Sequence, residues 1–363
     1  MFRKHSPREI SLACLPVPEG RPIRRLFDWL NLFARQPWDI CVLAKAWFNT
    51  GDWSIDLAAR LRFGNYFTIE HLTAQPIAQK GSRRHLGIFP GLGMWWYRQR
   101  LAKFVRSIGP RKVICVSDEV HYRLVRDYCF PAHKVVTVQN GINVERFRRD
   151  AAAADIWRQR WGIPPTTLVL GAVGRLNKVK GYGTALLGFQ ALLKRFPEKD
   201  LRLVLVGEGA HEQALRELAN RILPPNRVIF SPFCDRPWEP LSALDIFLMP
   251  SLNEGFGLAL AEAMACECCP VAMAVGGVPD MISSSDFGWI IPTGDSDAFT
   301  AAMIEATLRT PEQRTLMGKR AREHIVANFN GTVQYNHLVD VIESLVPASH
   351  LPWAEVTNVA RRH

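Results

Sequence analysis

IFLMPSLNEGFGLALAE, residues Ile246 to Glu262, runs through four apolar residues, a Pro-Ser-Leu-Asn turn, a glycine-rich corner and an apolar stretch of helical length. A short apolar run bounded by turn residues reads as a buried strand, and the run after the corner reads as the helix that packs back on it. That strand–turn–helix order places free backbone N–H groups of Gly255, Phe256 and Gly257 at a helix N-terminus, beyond the carboxyl end of a parallel strand. Open α/β sheets bind ligands there, and phosphate is favoured. Glu254 stands at the mouth of the corner and Glu262 about two turns into the helix. At roughly 100° per residue, eight positions leave the two carboxylates about 80° apart on one face. By itself that spacing is common; inside this context it is specific.

The same rhythm extends both ways from this stretch. Strands are predicted at 168–173, 201–206, 228–230, 246–249, 270–274 and 288–291, with helices between them. Upstream, strands are predicted at 10–15, 40–44, 66–69, 112–116 and 134–138, and helices at 23–35, 54–62, 93–107 and 119–128. Alternation of this kind is the pattern of parallel α/β sheets. The charged, Ala-rich and then Pro-Pro stretch 146–167 reads as a linker between two such units. The fold class is therefore α/β, with two facing Rossmann-like domains and a cleft between them. The expected divisions are 1–150, 151–330, and a C-terminal helix and tail over 331–363 that packs back on the first domain.

Two further segments carry chemistry. In GAVGRLNKVKG, Gly171 to Gly181, a strand ends at Gly174, and Arg175 and Lys180 follow in the loop. Two cations at that edge can clamp a diphosphate, arginine with its bidentate fork; Lys178 is a third cation that spacing alone does not separate from them. LVGEG, Leu205 to Gly209, is a strand followed by Gly-x-Gly, a weak signal when taken alone. His71 ends a predicted strand at the sheet edge suited to catalysis, although most lone histidines are structural. Asp295-Ser296-Asp297 resembles a metal-binding pair, but directly before a helical run Asp295 is read as an N-cap, and no metal site is assigned. No Ser/His/Asp or Cys/His arrangement is legible.

Composition narrows the classes. The 363 residues are 48% hydrophobic and 22% charged, enough apolar material for a substantial core. No run of about 18 apolar residues predicts a membrane span, and the first twenty residues lack a convincing cleavage site for export. The eight cysteines show no zinc spacing and no secreted framework, so they read as reduced packing residues of a cytoplasmic protein. The net charge of +11 is uneven: residues 1–150 hold 25 Lys and Arg against 12 Asp and Glu, and the remainder 20 against 22. From Lys80 to Lys112 there are nine cations and no acid, interleaved with Trp95, Trp96 and Tyr97. Such a surface suits an anionic membrane or a phosphate-bearing ligand, with a solvated helix face as the plainer reading. No nucleic-acid recognition module is present, and no nucleic-acid partner is expected.

Together, VTVQNGINVERF (136–147), GAVGRLNKVKG (171–181), LRLVLVGEG (201–209) and DIFLMPSLNEGFGLALAEAMACECCPVAMAVGGVPDMI (245–282) resemble the retaining GT-B nucleotide-sugar glycosyltransferases of family 4. The likeness is strong from about 134 to 282, and fainter over 9–116 and 317–329. The resemblance implies a donor site mainly in the second domain. Arg175 and Lys180 match the diphosphate-binding pair, Glu262 the residue that holds the ribose hydroxyls, and Glu254 the one that contacts the donor sugar. The amides of Gly255, Phe256, Gly257 and Leu258 would meet the sugar or diphosphate, with Gly276 and Gly277 forming a turn close by. His71 matches the histidine that approaches the donor sugar across the cleft, so His71 and Glu254 are the candidate catalytic residues. No cofactor or metal is implied beyond the nucleotide-diphosphate sugar itself.

The sequence also departs from that family. About 30–40 residues that family members carry before the region here starting at Glu9, a first strand and Gly-rich loop, are expected to be missing. Glu267 occupies a helix-end position where glycine is favoured, and Asp280 stands where glutamate is commoner. The leading expectation is sugar transfer with retention to a lipid-linked or envelope glycan acceptor at the cytoplasmic membrane face, in polysaccharide biosynthesis. The alternative, motivated by the missing start, is a catalytically silent GT-B subunit that binds a partner or glycan. A GT-B-type epimerase acting on the sugar nucleotide itself is a third possibility, and would turn over without acceptor.

Overall fold

The computed structural model describes residues 22–34, 41–45, 53–63, 66–70 and 109–345. His71, the expected strand at 10–15, the expected helix at 93–107 and most of the basic run 80–112 lie outside the described residues. In chain order the N-terminal unit contains α1 (Pro22–Ala34), β1 (Cys41–Lys45), α2 (Trp53–Phe63), β2 (Tyr66–Glu70), β3 (Lys112–Cys115), α3 (Asp118–Arg126) and β4 (Val135–Thr137). Its four described strands are parallel in the order β1-β2-β3-β4. Trp29, Phe33, Ala58, Ala59 and Tyr66 form one core cluster, and Val113, Cys115, Val120 and Leu124 form a second.

The C-terminal unit begins with α4 (Ala151–Arg160), inside the stretch expected to be a linker. That expectation is corrected. Asp150 caps the helix by accepting from the Ala153 amide at 3.0 Å, and Trp157 is buried on its inner face. Arg158 then pairs with Asp245 at 2.9 Å and donates to the Thr167 and Ala243 carbonyls. The alanines that made the stretch look featureless are good helix formers, and the cap and the tryptophan supply its start and its anchor.

Beyond α4 follow β5 (Leu168–Val173), α5 (Tyr182–Arg195), β6 (Leu201–Val206), α6 (Glu212–Ile222), β7 (Val228–Ser231), α7 (Trp238–Ser242), β8 (Ile246–Met249), α8 (Leu258–Ala265), β9 (Cys269–Met273), α9 (Val278–Met281), β10 (Trp289–Ile291), α10 (Ser296–Leu308), α11 (Pro311–Asn328) and α12 (Gly331–Leu345). The six strands are parallel in the order β10-β9-β8-β5-β6-β7. β5, β6 and β8 fall where their apolar runs put them, because parallel strands covered on both faces need near-continuous apolar sequence, which only the half-buried Arg202 interrupts in β6. Val169, Val204, Phe247 and Met249 face one core with Leu260, Met264 and Ile325; Leu170, Leu203, Ile246 and Leu248 face the other with Leu186, Phe189 and Phe299. Asp295 caps α10 as read, accepting from the Ala298 amide at 2.9 Å.

The two units are joined by chain crossing between them. Ile142 donates to Phe329 O at 2.9 Å and accepts from the Gly331 amide at 2.8 Å. Arg322 on α11 donates to the carbonyls of Phe147, Val144 and Ala265, so one guanidinium ties the crossing segment to the end of α8. α8 stops at Cys266, and Glu267 takes the left-handed conformation with φ 62°. A side chain there costs on the order of 1 kcal/mol. Glu267→Gly is therefore expected to raise stability by about 1 kcal/mol in urea denaturation, with m unchanged.

Candidate functional site

Three loops meet at the carboxyl edge of the larger sheet, after β5, β6 and β8. The Leu252 amide donates to Val179 O at 2.8 Å, and the Leu176 amide to Glu208 O at 2.8 Å. Glycine permits these approaches. A Cβ at Gly181, whose φ is +67°, would lie 2.0 Å from Pro250 O, and one at Gly207 would lie 2.1 Å from Gly174 O. The Gly-x-Gly of LVGEG therefore serves the packing of backbone on backbone.

On this framework Asn177 accepts from the Lys180 amide at 3.1 Å, closing a short helical turn over Lys178–Lys180. The turn separates the cations that spacing left equivalent. Lys178 is exposed, whereas Lys180 donates from Nζ to Glu254 Oε1 at 2.6 Å. Glu254 is buried and Lys180 half-buried, so the pair is only partly solvated. Buried Tyr182, the first residue of α5, lines the same small pocket with Ser251. Burial, and then the Glu254 carboxylate, push its phenol above the ordinary range. Arg175 is exposed at the rim and forms no ion pair among the described residues.

The glycine corner lies before the helix as read, but α8 begins only at Leu258, so Glu254 is outside it, Glu262 is little more than one turn in, and the shared helical face is corrected. Gly257, at φ +97°, precedes α8, and the amides of Gly255, Phe256, Gly257 and Leu258 donate to no protein acceptor among the described residues. The Phe256 ring is core: it packs on Phe329 at 5.6 Å between centroids, so only its backbone is available to a ligand. Glu262 lies half-buried on α8, and burial pushes its carboxyl up to about 7. Gly276 and Gly277 fold over the corner, and the Gly277 amide donates to Phe256 O at 3.1 Å. The structure thus brings together Lys180, Glu254, the four amides and the glycine turn.

Three contacts come from the other unit and were not read from the sequence. Ser117 Oγ donates to Gly255 O at 2.7 Å, Glu119 Oε2 accepts from the Gly276 amide, and Gln139 donates to Asp280 at 3.0 Å. Ser117-Asp118-Glu119 carries the signal of a helix start, and Ser117 is indeed the N-cap of α3. Nothing local shows that the same residues touch a loop more than 130 positions away. Burial, with Asp118 nearby, raises the Asp280 carboxyl above its ordinary value.

Residues 153–324 match the family model described as glycosyl transferases group 1. D-inositol 3-phosphate glycosyltransferase of Saccharomonospora viridis is 32% identical over 267 residues, 67% of this chain and 59% of its own length. N-acetyl-alpha-D-glucosaminyl L-malate synthase of Bacillus anthracis is 32% identical over 201 residues, 55% of this chain and 51% of its own. The chain thus spans between half and three-fifths of these relatives. Among solved structures, a glycosyltransferase of Rickettsia africae superposes with a TM-score of 0.72 at 16% identity, covering 91% of this chain and 84% of that one. Anabaena HepE in complex with UDP superposes with a TM-score of 0.72 at 15% identity, covering 88% and 82%. The fold is GT-B. Its C-terminal domain belongs to the group 1 glycosyl transferases, the family-4 class to which the motifs pointed.

Proposed function

We propose that this chain transfers a sugar, with retention and without a metal ion, from a nucleoside diphosphate donor to a lipid-linked or envelope glycan acceptor. The carrying observation is the convergence, at the carboxyl edge of β5 and β8, of Lys180, Glu254 and four amides that donate to no acceptor among the described residues. Positive charge and N–H groups there offset the charge that develops on a leaving diphosphate. Arg175 at the rim adds a second cation, and Glu262 accepts from the ribose hydroxyls. Attack by the acceptor on the face the diphosphate leaves retains configuration, with a diphosphate oxygen taking the acceptor's proton. Anabaena HepE bound to UDP and to UDP-glucose supports a donor of this class. The acceptor clause is supported by the basic N-terminal half, suited to an anionic surface. Among the described residues no helix is long and apolar enough to cross a membrane.

Calorimetry with UDP and GDP, followed by turnover of their glucose and mannose conjugates in EDTA, tests this reading. Micromolar binding and chelator-resistant transfer are expected; no nucleotide binding, or transfer restored only by manganese, overturns it. Binding also carries a pH signature. Glu262 is raised to about 7, so it is largely protonated at pH 6, while ribose hydroxyls donating to it favour the ionised form. Nucleotide binding should therefore release a proton, and affinity should fall about tenfold from pH 8 to pH 6. In Glu262→Gln that fall should shrink to whatever the ligand's own phosphate titration contributes. For folding the sign is reversed in consequence: Glu262 contributes full stability below pH about 4.5, lost as pH rises through about 7.

A further inference from the structure

Gly255, Gly257, Gly276 and Gly277 have no side chains to pin them, and glycine backbone samples more conformations than any other. A site that stabilises developing charge needs its N–H groups fixed beforehand. Something must hold these loops, and among the described residues side-chain bonds to them come from the opposite unit.

Ser117, fully buried, donates to Gly255 O at 2.7 Å. The Gly255 carbonyl and the Phe256 N–H belong to one planar peptide group, so fixing the oxygen fixes the direction of the amide. Glu119 holds the Gly276 amide with Oε2, while its Oε1 pairs with Arg123 one turn further along α3. The two gripped segments also touch each other: a Cβ at Gly276 would lie 2.6 Å from both Glu254 O and Gly255 O. One helix turn therefore restrains the corner and the turn that folds over it. Gln139, donating to Asp280 at 3.0 Å, adds a third bond across the same seam.

We propose that Ser117 and Glu119 are positioning residues of the donor site, holding the Glu254–Gly257 corner and the Gly276–Gly277 turn in one geometry from across the cleft. The proposal rests on the glycosyltransferase reading. It makes the donor-side amides correctly aimed only while the two units are in contact, which couples donor-site geometry to the approach of the domain expected to carry the acceptor.

The test uses the full chain and the variants Ser117→Ala, Ser117→Thr, Glu119→Ala and Glu119→Gln, each checked for its melting temperature. Threonine keeps both the cap and the donor; glutamine keeps an acceptor for the Gly276 amide. Hydrogen–deuterium exchange is first measured without ligand on peptides covering 254–258 and 275–278. Both alanine variants should exchange several-fold faster there, and the threonine and glutamine variants should stay near wild type. With UDP-sugar, the alanine variants should lose roughly tenfold in kcat, the scale of one lost hydrogen bond of this kind, with little change in acceptor KM. Unchanged exchange overturns the grip. Faster exchange with wild-type kcat and nucleotide affinity leaves only a structural bond and overturns the positioning role. A wild-type protein that binds no nucleoside diphosphate overturns the glycosyltransferase reading, and the positioning role with it, while the exchange result stands by itself.

Discussion

Lys180→Ala is expected to weaken nucleoside diphosphate binding at least tenfold and to destabilise the C-terminal domain at the same time. The first effect is the loss of a charge-assisted contact to phosphate, typically about 1.5–3 kcal/mol. The second follows from the ion pair. Glu254, 8% exposed, keeps its carboxylate in place after its cation is removed. Removing one partner of a fully buried pair costs about 3–5 kcal/mol, and this pair is partly solvated, so about 2 kcal/mol is expected. A Lys180→Ala, Glu254→Gln double variant separates the two. It should recover most of the stability, because no unpaired charge remains buried, and none of the affinity. Calorimetry with UDP and urea denaturation of all three variants checks both effects. Equal UDP affinity in Lys180→Ala would remove the phosphate contact, whatever the stability does.

The second large effect is a backbone one. Gly181→Ala should destabilise by about 2–4 kcal/mol, through roughly 1 kcal/mol of left-handed strain and a further 1–3 for forcing a methyl into packed structure. The added Cβ would meet the Pro250 carbonyl at 2.0 Å, and Pro250 is backbone that cannot rotate aside. Relief requires moving the Pro250–Glu254 loop, so nucleotide affinity should fall as well. Gly162→Ala is the control. Gly162 has φ +64°, but its Cβ would meet nothing within 4 Å, so only the strain of about 1 kcal/mol is expected. For a domain of this size each kcal/mol moves Tm by about 2–4 °C, so thermal melts should separate the pair clearly. Equal losses in the two variants would mean that the close approach to Pro250 contributes nothing.

The strands of the larger sheet were legible because burial on both faces demands near-continuous apolar sequence, and 246–249, 168–173 and, but for the half-buried Arg202, 201–206 supply it. The glycine corner at 255–257 and the Asp295 cap were legible for a related reason: each is signalled by its own few residues, through a glycine at positive φ or a side chain reaching three positions ahead. The helix over Ala151–Arg160 was missed because a charged, Ala-rich segment before Pro-Pro carries little apolar periodicity. Its helical state comes from Trp157 packing in the interior and Arg158 reaching Asp245.

By itself, then, the sequence determined the strands of the larger sheet, their parallel arrangement and the edge of the sheet where phosphate is favoured, since hydrophobic patterning and turn chemistry act over a few residues. Only the tertiary structure decided which groups at that edge face one another. It chose Lys180 over Lys178 as the partner of Glu254, 74 positions away, and assigned Phe256's ring to the core. It also set Glu119 against the Gly276 amide, 157 positions away. Ion pairs and single hydrogen bonds depend on separations of a few ångströms, and those are fixed by which loops the strand order brings together.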